Sequence, residues 1–271
     1  LRFERVKDWW GAKLPVNRGK YNFDRVDVEF YRDSHVAFEA FKGDQYDWRT
    51  ESSAKMWATG YDFPAITAGR VVKEEIKFKQ VEGMQGWALN IRRPKFQDVR
   101  VRRALNYAFD FEWENKQFAF GAYTRTRSYF ENSSLAAKGL PSGRELEILT
   151  PFKDQLPPEV FTKEYRPPVN DGSGNNRANL KIAADLLDAA GYKLGTDGVR
   201  AHEKTGVRLE FQIMDANPAF ERWSLPFIQN LKKIGVKANF RVIDPAQFQN
   251  RMQNFDFDIT TRVIPQSESP G

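Results

Sequence analysis

The sequence has no cysteine and only two histidines. Without thiols there is no disulfide, no thiolate nucleophile and no thiolate metal site. The absence is compatible with an oxidising compartment but does not demonstrate one. His35 and His202 stand in distant segments, and neither has a second metal-type ligand at helical spacing. A serine–histidine triad needs a positioned base, and no Gly-x-Ser-x-Gly elbow is present. Gly-x-Gly-x-x-Gly and Walker loops are missing too, so nucleotide binding has no motif. These gaps predict a protein that is not an enzyme and carries no cofactor and no metal. No run approaches the roughly 18 apolar residues of a membrane helix. Leu1 is neither an initiator methionine nor the start of a signal peptide, and reads as an internal start.

What is present describes a packed globular chain. Apolar residues make up 41% and aromatics 14% of 271 positions, enough for one large domain or two modest ones. The net charge of +6 draws attention to Arg92–Arg103, where six basic residues face the single acid Asp98. Arg92, Arg93 and Lys95 fall on a corner, whereas Arg100, Arg102 and Arg103 point several ways from a helix. That scatter predicts a solvated, partly salt-bridged face. A basic nucleic-acid- or polyanion-binding module is the alternative reading of the same charge.

The most informative stretch runs from Met84 to Gly121. Met84–Ile91 reads as a strand with Trp87, Leu89 and Ile91 on one face, ended by Pro94. Asp98 is placed to cap a helix whose Val101, Ala104, Leu105, Ala108 and Phe109 form one buried stripe. Asp110 caps a second helix, which Gly121 closes in the left-handed conformation.

Elsewhere, Arg25–Tyr31 and Val71–Phe78 read as strands, Asp47-Trp48 as the start of a short one, and Ser34–Lys42 as a helix closed by Gly43. The segment from Tyr123 to Pro168 is long, irregular and proline-punctuated. It is expected to wrap the surface, ordered by Phe130, Leu135, Leu140, Phe152 and Phe161. Leu180, Ala183, Ala184 and Leu187 make a helical face. Val199–His202 and Val207–Ile213 flank a hairpin turn, and Val207–Val263 reads as βαβαβ, implying right-handed crossovers. Pro226 is expected to kink the helix within that run.

Asn90-x-Arg92-x-Pro94-x-Phe96-x-Asp98-Val99-Arg100-Val101-Arg102-x-Ala104-Leu105-Asn106-Tyr107-Ala108, with Asp110 following, resembles the hinge-and-helix signature of the bacterial family 5 extracellular solute-binding proteins. Asp8-Trp9-Trp10-Gly11, Gly43-Asp44-Gln45-Tyr46-Asp47 and the Leu186–Tyr192 helix ending are similar to further elements of that family. Phe130–Pro141 resembles its oligopeptide and peptide-antibiotic uptake subgroup. The resemblance implies an α/β, periplasmic binding protein type II-like fold, two-lobed, with mixed β-sheets flanked by helices, here a fragment of a larger protein. Residues 1–88 would be a partial first lobe with the hinge strand, and 89–271 a second lobe truncated at its C-terminal end. The implied function is capture of a peptide or peptide-like solute in the periplasm by hinge closure, and delivery to an inner-membrane ABC permease. The implied protein is a monomer that does not bind nucleic acid.

Loops at the carboxyl ends of strands, together with the hinge, supply ligand groups in such proteins. Candidates are Arg49 and Glu51 after a first-lobe strand, Asn90 and Arg92 at the hinge, and Arg262 with Gln266, Ser267, Glu268 and Ser269 at the last strand. Peptide binders of the family commonly carry Trp-x-x-Asp in that last loop, the Asp pairing with the ligand's α-ammonium. Here Ile264 and Ser267 stand in those places, leaving two options: Glu268 takes over the ammonium, or the ligand is held differently.

Overall fold

The computed structural model describes residues 1–269, which divide into two compact units. One unit comprises residues 1–52 and 59–73, the other residues 53–58 and everything from Glu74 onward.

In the smaller unit, β1 (Arg2–Glu4) pairs antiparallel with β2 (Arg25–Asp27), with Phe3 opposite Val26. Every residue of both strands is exposed. The strand expected over Arg25–Tyr31 therefore shortens to three residues, the length that finds a partner. Helix α1 (Ser34–Lys42) begins where expected because Asp33 accepts the amide protons of His35 and Val36. It buries Phe38 and Ala40, and Phe38 meets the rings of Tyr61 and Phe63 at 5.2 and 6.2 Å. The next helix, α2 (Ala54–Thr59), belongs except for its last residue to the larger unit, and α3 (Pro64–Thr67) to the smaller one. Asp47-Trp48 and Val71–Phe78 are not strands. They have β-forming composition but no ladder partner, and unpaired extended chain does not make a sheet.

The larger unit is built on β3 (Met84–Leu89), after which the corner at Pro94 leads into α4 (Val99–Ala108) and α5 (Phe111–Phe118). Asp98 accepts the Arg100 amide proton and Asp110 that of Trp113, so both predicted caps are formed. Gly121 has φ +76°, as its left-handed position requires. Val101, Ala104, Leu105 and Ala108 are buried, and Phe109 packs against them. Ile91 departs from the expectation: it lies in the turn beyond β3 and is 56% exposed.

The proline-rich segment holds α6 (Gly143–Leu149) and α7 (Glu159–Thr162). Leu135, Leu140 and Phe152 are exposed, so they do not order it as expected. Polar ties do so instead. Asn115 exchanges hydrogen bonds with the Tyr123 backbone, Arg125 reaches Asn106 and the Pro168 carbonyl, and Asn132 donates to the carbonyls of Phe78 and Gln80.

Helix α8 (Arg177–Ala189) packs on α4 through Leu180, Ala183 and Leu187. β4 (Tyr192–Leu194) pairs with β5 (Arg200–His202), and the predicted turn at 203–206 closes with His202 donating to the Val207 carbonyl. Then come β6 (Glu210–Asp215), α9 (Glu221–Lys233), β7 (Lys237–Val242), α10 (Pro245–Gln253) and β8 (Ile259–Ile264). Pro226 lies inside α9 without ending it.

The sheet order is β3-β8-β6-β7, with β6 parallel to both β7 and β8, and β3 antiparallel to β8. β3 and β8 thus belong to one sheet, joined over six residue pairs from Met84↔Ile264 to Leu89↔Ile259. A division at 88/89 would cut that strand near its end, and the compact unit instead reaches back to Glu74. Alternation sorts the side chains. Phe211, Ile213 and Ile259 join the main core with α4, α8 and α9, while Met214 faces Ile243, Phe257 and α10 on the other side.

Gly235 closes α9 at φ +80°, and a Cβ there would stand 2.6 Å from Leu194 Cδ1 and 3.0 Å from Arg200 Cγ. Gly235→Ala combines a strained backbone with overpacking. It is expected to cost about 1–3 kcal/mol, read as a lower urea midpoint at unchanged slope.

Candidate functional site

The predicted ligand residues fall into three separate places. Arg49 and Glu51, in the smaller unit, hold one another. Nε and Nη2 of Arg49 each lie 3.2 Å from Glu51 Oε2, Nη1 donates to the Tyr46 hydroxyl, and Tyr61 donates to the same Glu51 oxygen. The side chains are 12% and 4% exposed, and the guanidinium lies over the Phe38 ring. Burial, with the Glu51 charge beside it, raises the Tyr61 phenol above its ordinary range.

Asn90 is 4% exposed. Its Nδ2 donates to the carbonyls of Phe255 (2.8 Å) and Phe257 (2.9 Å), and its Oδ1 accepts the Arg92 amide proton at 3.1 Å. The Arg92 guanidinium lies 3.7 Å from the centroid of the Phe255 ring. Phe255 itself has φ +52°, so both residues clasp the tight turn that feeds β8.

Arg262 is exposed on β8 opposite Gly86, and Gln266, Ser267, Glu268 and Ser269 are exposed just beyond the strand. The Ser269 amide donates to Ser267 Oγ at 3.2 Å. Because β3 runs against β8, Asn90 and Arg92 lie at the amino end of the parallel strands and 264–269 at their carboxyl end. A six-residue strand separates the two groups by about 20 Å. The structure therefore brings Arg262 and 266–269 together and sets Asn90 and Arg92 apart from them.

The carboxyl edge carries a residue that sequence reasoning missed. Asp215 ends β6, is 5% exposed, and its Oδ1 accepts the Asn217 amide proton at 2.8 Å. Its signal was readable: an acid continuing the alternation of Phe211 and Ile213 at the end of the run. The segment before β3 reaches the same edge, where Glu82 bridges Glu131. Two open hollows occur elsewhere, one of about 630 Å³ lined by Phe3, Trp9, Tyr21 and Phe23, the other of about 390 Å³ beside the start of α8. None of the predicted ligand residues lines either.

The basic cluster is occupied internally. Arg93 pairs with Asp256 at 3.0 Å, Lys95 with Asp258 at 3.2 Å, and Arg103 with Glu159 at 3.1 Å. Arg100 pairs with Asp98, and Arg102 donates to the carbonyls of Phe96 and Gln97. The pairing with Arg100 holds the Asp98 carboxyl below the usual carboxylate range. These cations fasten the corner and α4 to their surroundings instead of forming an open basic stripe. Among the described residues, no group of three or more His, Asp or Glu is arranged to hold a metal ion, and no helix is long and apolar enough to cross a membrane.

Polar loops gathered at the carboxyl edge of a mixed sheet, over a core sealed by helices, are the equipment of an α/β ligand-capturing domain. The chain belongs to the bacterial extracellular solute-binding proteins, family 5: the model of that family's middle region matches residues 1–269. It is 47% identical over its full length to a probable peptide-binding protein, YejA, of Agrobacterium fabrum, covering 44% of that protein. It is 43% identical over 96% of its length to the YejA protein of Escherichia coli, covering 43% of it. The fold is shared with lactococcal OppA, solved with an endogenous peptide in the closed conformation, at a TM-score of 0.63 and 19% identity. That likeness covers 99% of this chain and 45% of the other. The chain thus spans less than half the length of the relatives it matches.

Proposed function

We propose that this chain is part of a periplasmic binding protein that captures a peptide or peptide-like solute and hands it to an inner-membrane ABC permease. Membership of the solute-binding family along the described chain, with a relative named as a probable peptide-binding protein, carries the reading. In it, the sheet-bearing unit supplies one jaw. Its ligand groups are Arg262, Gln266, Ser267, Glu268 and Ser269 at the carboxyl edge, with Asp215 behind them. Arg49 and Glu51, in the smaller unit, are proposed as a further, pre-paired polar surface for the ligand. Asn90 and Arg92, fully engaged with the turn at 255–257, are proposed to support the site rather than touch the ligand. The protein acts as a monomer and performs no reaction on its cargo.

The full-length protein, purified without denaturation and analysed by mass spectrometry, is expected to release peptides. Calorimetric titration with a free-amine peptide should show binding that the 271-residue chain alone lacks or greatly weakens. Recovery of no peptide, together with retention on polyanions that salt reverses, would replace the reading. Within it, Glu268 is the acid proposed to pair with a peptide α-ammonium. A charge-assisted hydrogen bond contributes about 1.5–3 kcal/mol, so Glu268→Gln should weaken a free-amine peptide roughly 10- to 150-fold. The N-acetylated peptide should lose little. Equal affinity of mutant and wild type for the free amine would transfer the role to another acid, Asp215 first.

A further inference from the structure

Helix α5 carries a carboxyl group that the proposed function does not use. Glu114 is 0% exposed, and neither of its oxygens has a hydrogen-bond partner. Three contacts fix what lies across from it. Asn230 of α9 donates to the Ala108 carbonyl at 3.1 Å, the Phe109 ring lies 6.1 Å from Phe227, and the Phe118 ring lies 5.4 Å from Trp223. The two helices therefore run in opposite directions, and Glu114 lies on the stretch of α5 between Phe109 and Phe118 that packs along α9. Ser224 of α9 is also 0% exposed with an unpartnered Oγ. Each of these helices thus buries an unpartnered polar side chain, and for Glu114 that costs most stability unless the carboxyl stays neutral.

The surrounding charges favour the neutral form. Asp110, one turn earlier and 2% exposed, caps α5 and accepts from Asn170, which sets a second carboxyl beside Glu114. Two neighbouring carboxylates in a buried site do not both ionise readily. Arg125 faces them from the following loop, but its guanidinium is engaged by Asn106 and the Pro168 carbonyl and lies over the rings of Phe109 and Phe111. On α5 the remaining charges are Glu112, which accepts the Asn170 amide proton, and Lys116. On α9 they are exposed Glu221, Arg222, whose guanidinium lies over Trp223, and, at the far end of the helix, Lys232 and Lys233, the latter donating to Asn230 Oδ1 at 3.0 Å. Tyr165 completes the set through its interaction with Arg125.

We propose that Glu114 is a proton-operated latch on the α5–α9 contact: neutral, it stays buried there; ionised, it draws water between the helices and releases α5. The turn at Phe118–Gly121 would loosen with it, as would Tyr123, which lies 6.1 Å from Trp223 and is tied to Asn115. Burial, reinforced by Asp110 and opposed by Arg125, pushes the Glu114 carboxyl up to about 9. In the released state it returns towards 4.5. Between those values the closed form holds one proton more than the open form, so opening rises tenfold with each pH unit and levels off above about 9.

Hydrogen exchange of the full-length protein tests the latch, with rates corrected for the intrinsic pH dependence of amides. Between pH 6 and 8, peptides covering 111–121 should lose protection about a hundredfold by that slope, while peptides from 177–189 change little. Glu114→Gln, neutral at every pH, should abolish the slope and protect α5 better than wild type at pH 8. Ser224→Ala should keep the slope. A flat wild-type profile, a slope that survives in Glu114→Gln, or Glu114→Gln opening α5 at pH 7 would overturn the latch. The last of these would establish an ion pair with Arg125 instead.

Discussion

Leu105→Asp is expected to unfold the sheet-bearing unit. Leu105 is 3% exposed in the middle of the α4 stripe, within the cluster that joins α4 to α8, α9 and the sheet. Removing a buried leucine side chain alone costs about 2–5 kcal/mol. An unpaired carboxylate in the same place adds several more, or forces the group to take up a proton. A domain holds about 5–15 kcal/mol in total, so the substitution uses most or all of it. Circular dichroism should show loss of the cooperative melt, accompanied by dye binding to exposed apolar surface. Val99→Asp, six residues earlier and 45% exposed at the start of α4, supplies the contrast. A surface position at a helix N-terminus tolerates an acid within about 0.5 kcal/mol. Equal melting of Leu105→Asp and wild type would mean that the helix phase is wrong.

Asn90→Ala carries the second large effect. The substitution removes two hydrogen bonds and leaves the carbonyls of Phe255 and Phe257 without the Asn90 donor, close to where Phe255 holds φ +52°. A carbonyl left unsatisfied costs about 1–3 kcal/mol; Phe255 carries that cost, while Phe257 keeps a donor in Arg93 Nε at 3.3 Å and adds less. Asn90→Asp should be no better, since a carboxylate would face the same two carbonyls. The measurement is the urea midpoint of the full-length protein beside its peptide affinity. Loss of stability, with affinity intact wherever the protein remains folded, fits the supporting role assigned to Asn90. Loss of affinity at unchanged stability would return Asn90 to the ligand site.

Local chemistry was legible in the sequence wherever a short-range rule governs the outcome. Asp98 and Asp110 were legible as caps, because a cap involves only the next three residues. The stripes of α4 and α8 follow from helical spacing, and the turn at 203–206 from its glycine. The resemblance at Asn90–Asp110 pointed to the family, which the match over residues 1–269 establishes.

Tertiary structure decided everything that depends on a partner distant in the chain. Arg25–Tyr31 and Val71–Phe78 have similar β-forming composition, yet only the three residues facing β1 became a strand, because a ladder needs a second edge. β3 joined the sheet of β6–β8 through β8, far along the chain, and that antiparallel pairing put Asn90 and 266–269 at opposite ends. No spacing rule could separate them, since both read simply as polar residues beside a strand. Glu114 shows the same division. The sequence placed an acid on a helix; only the antiparallel packing of α5 on α9 made it a buried carboxyl without a partner, because burial and charge compensation are properties of the assembled core.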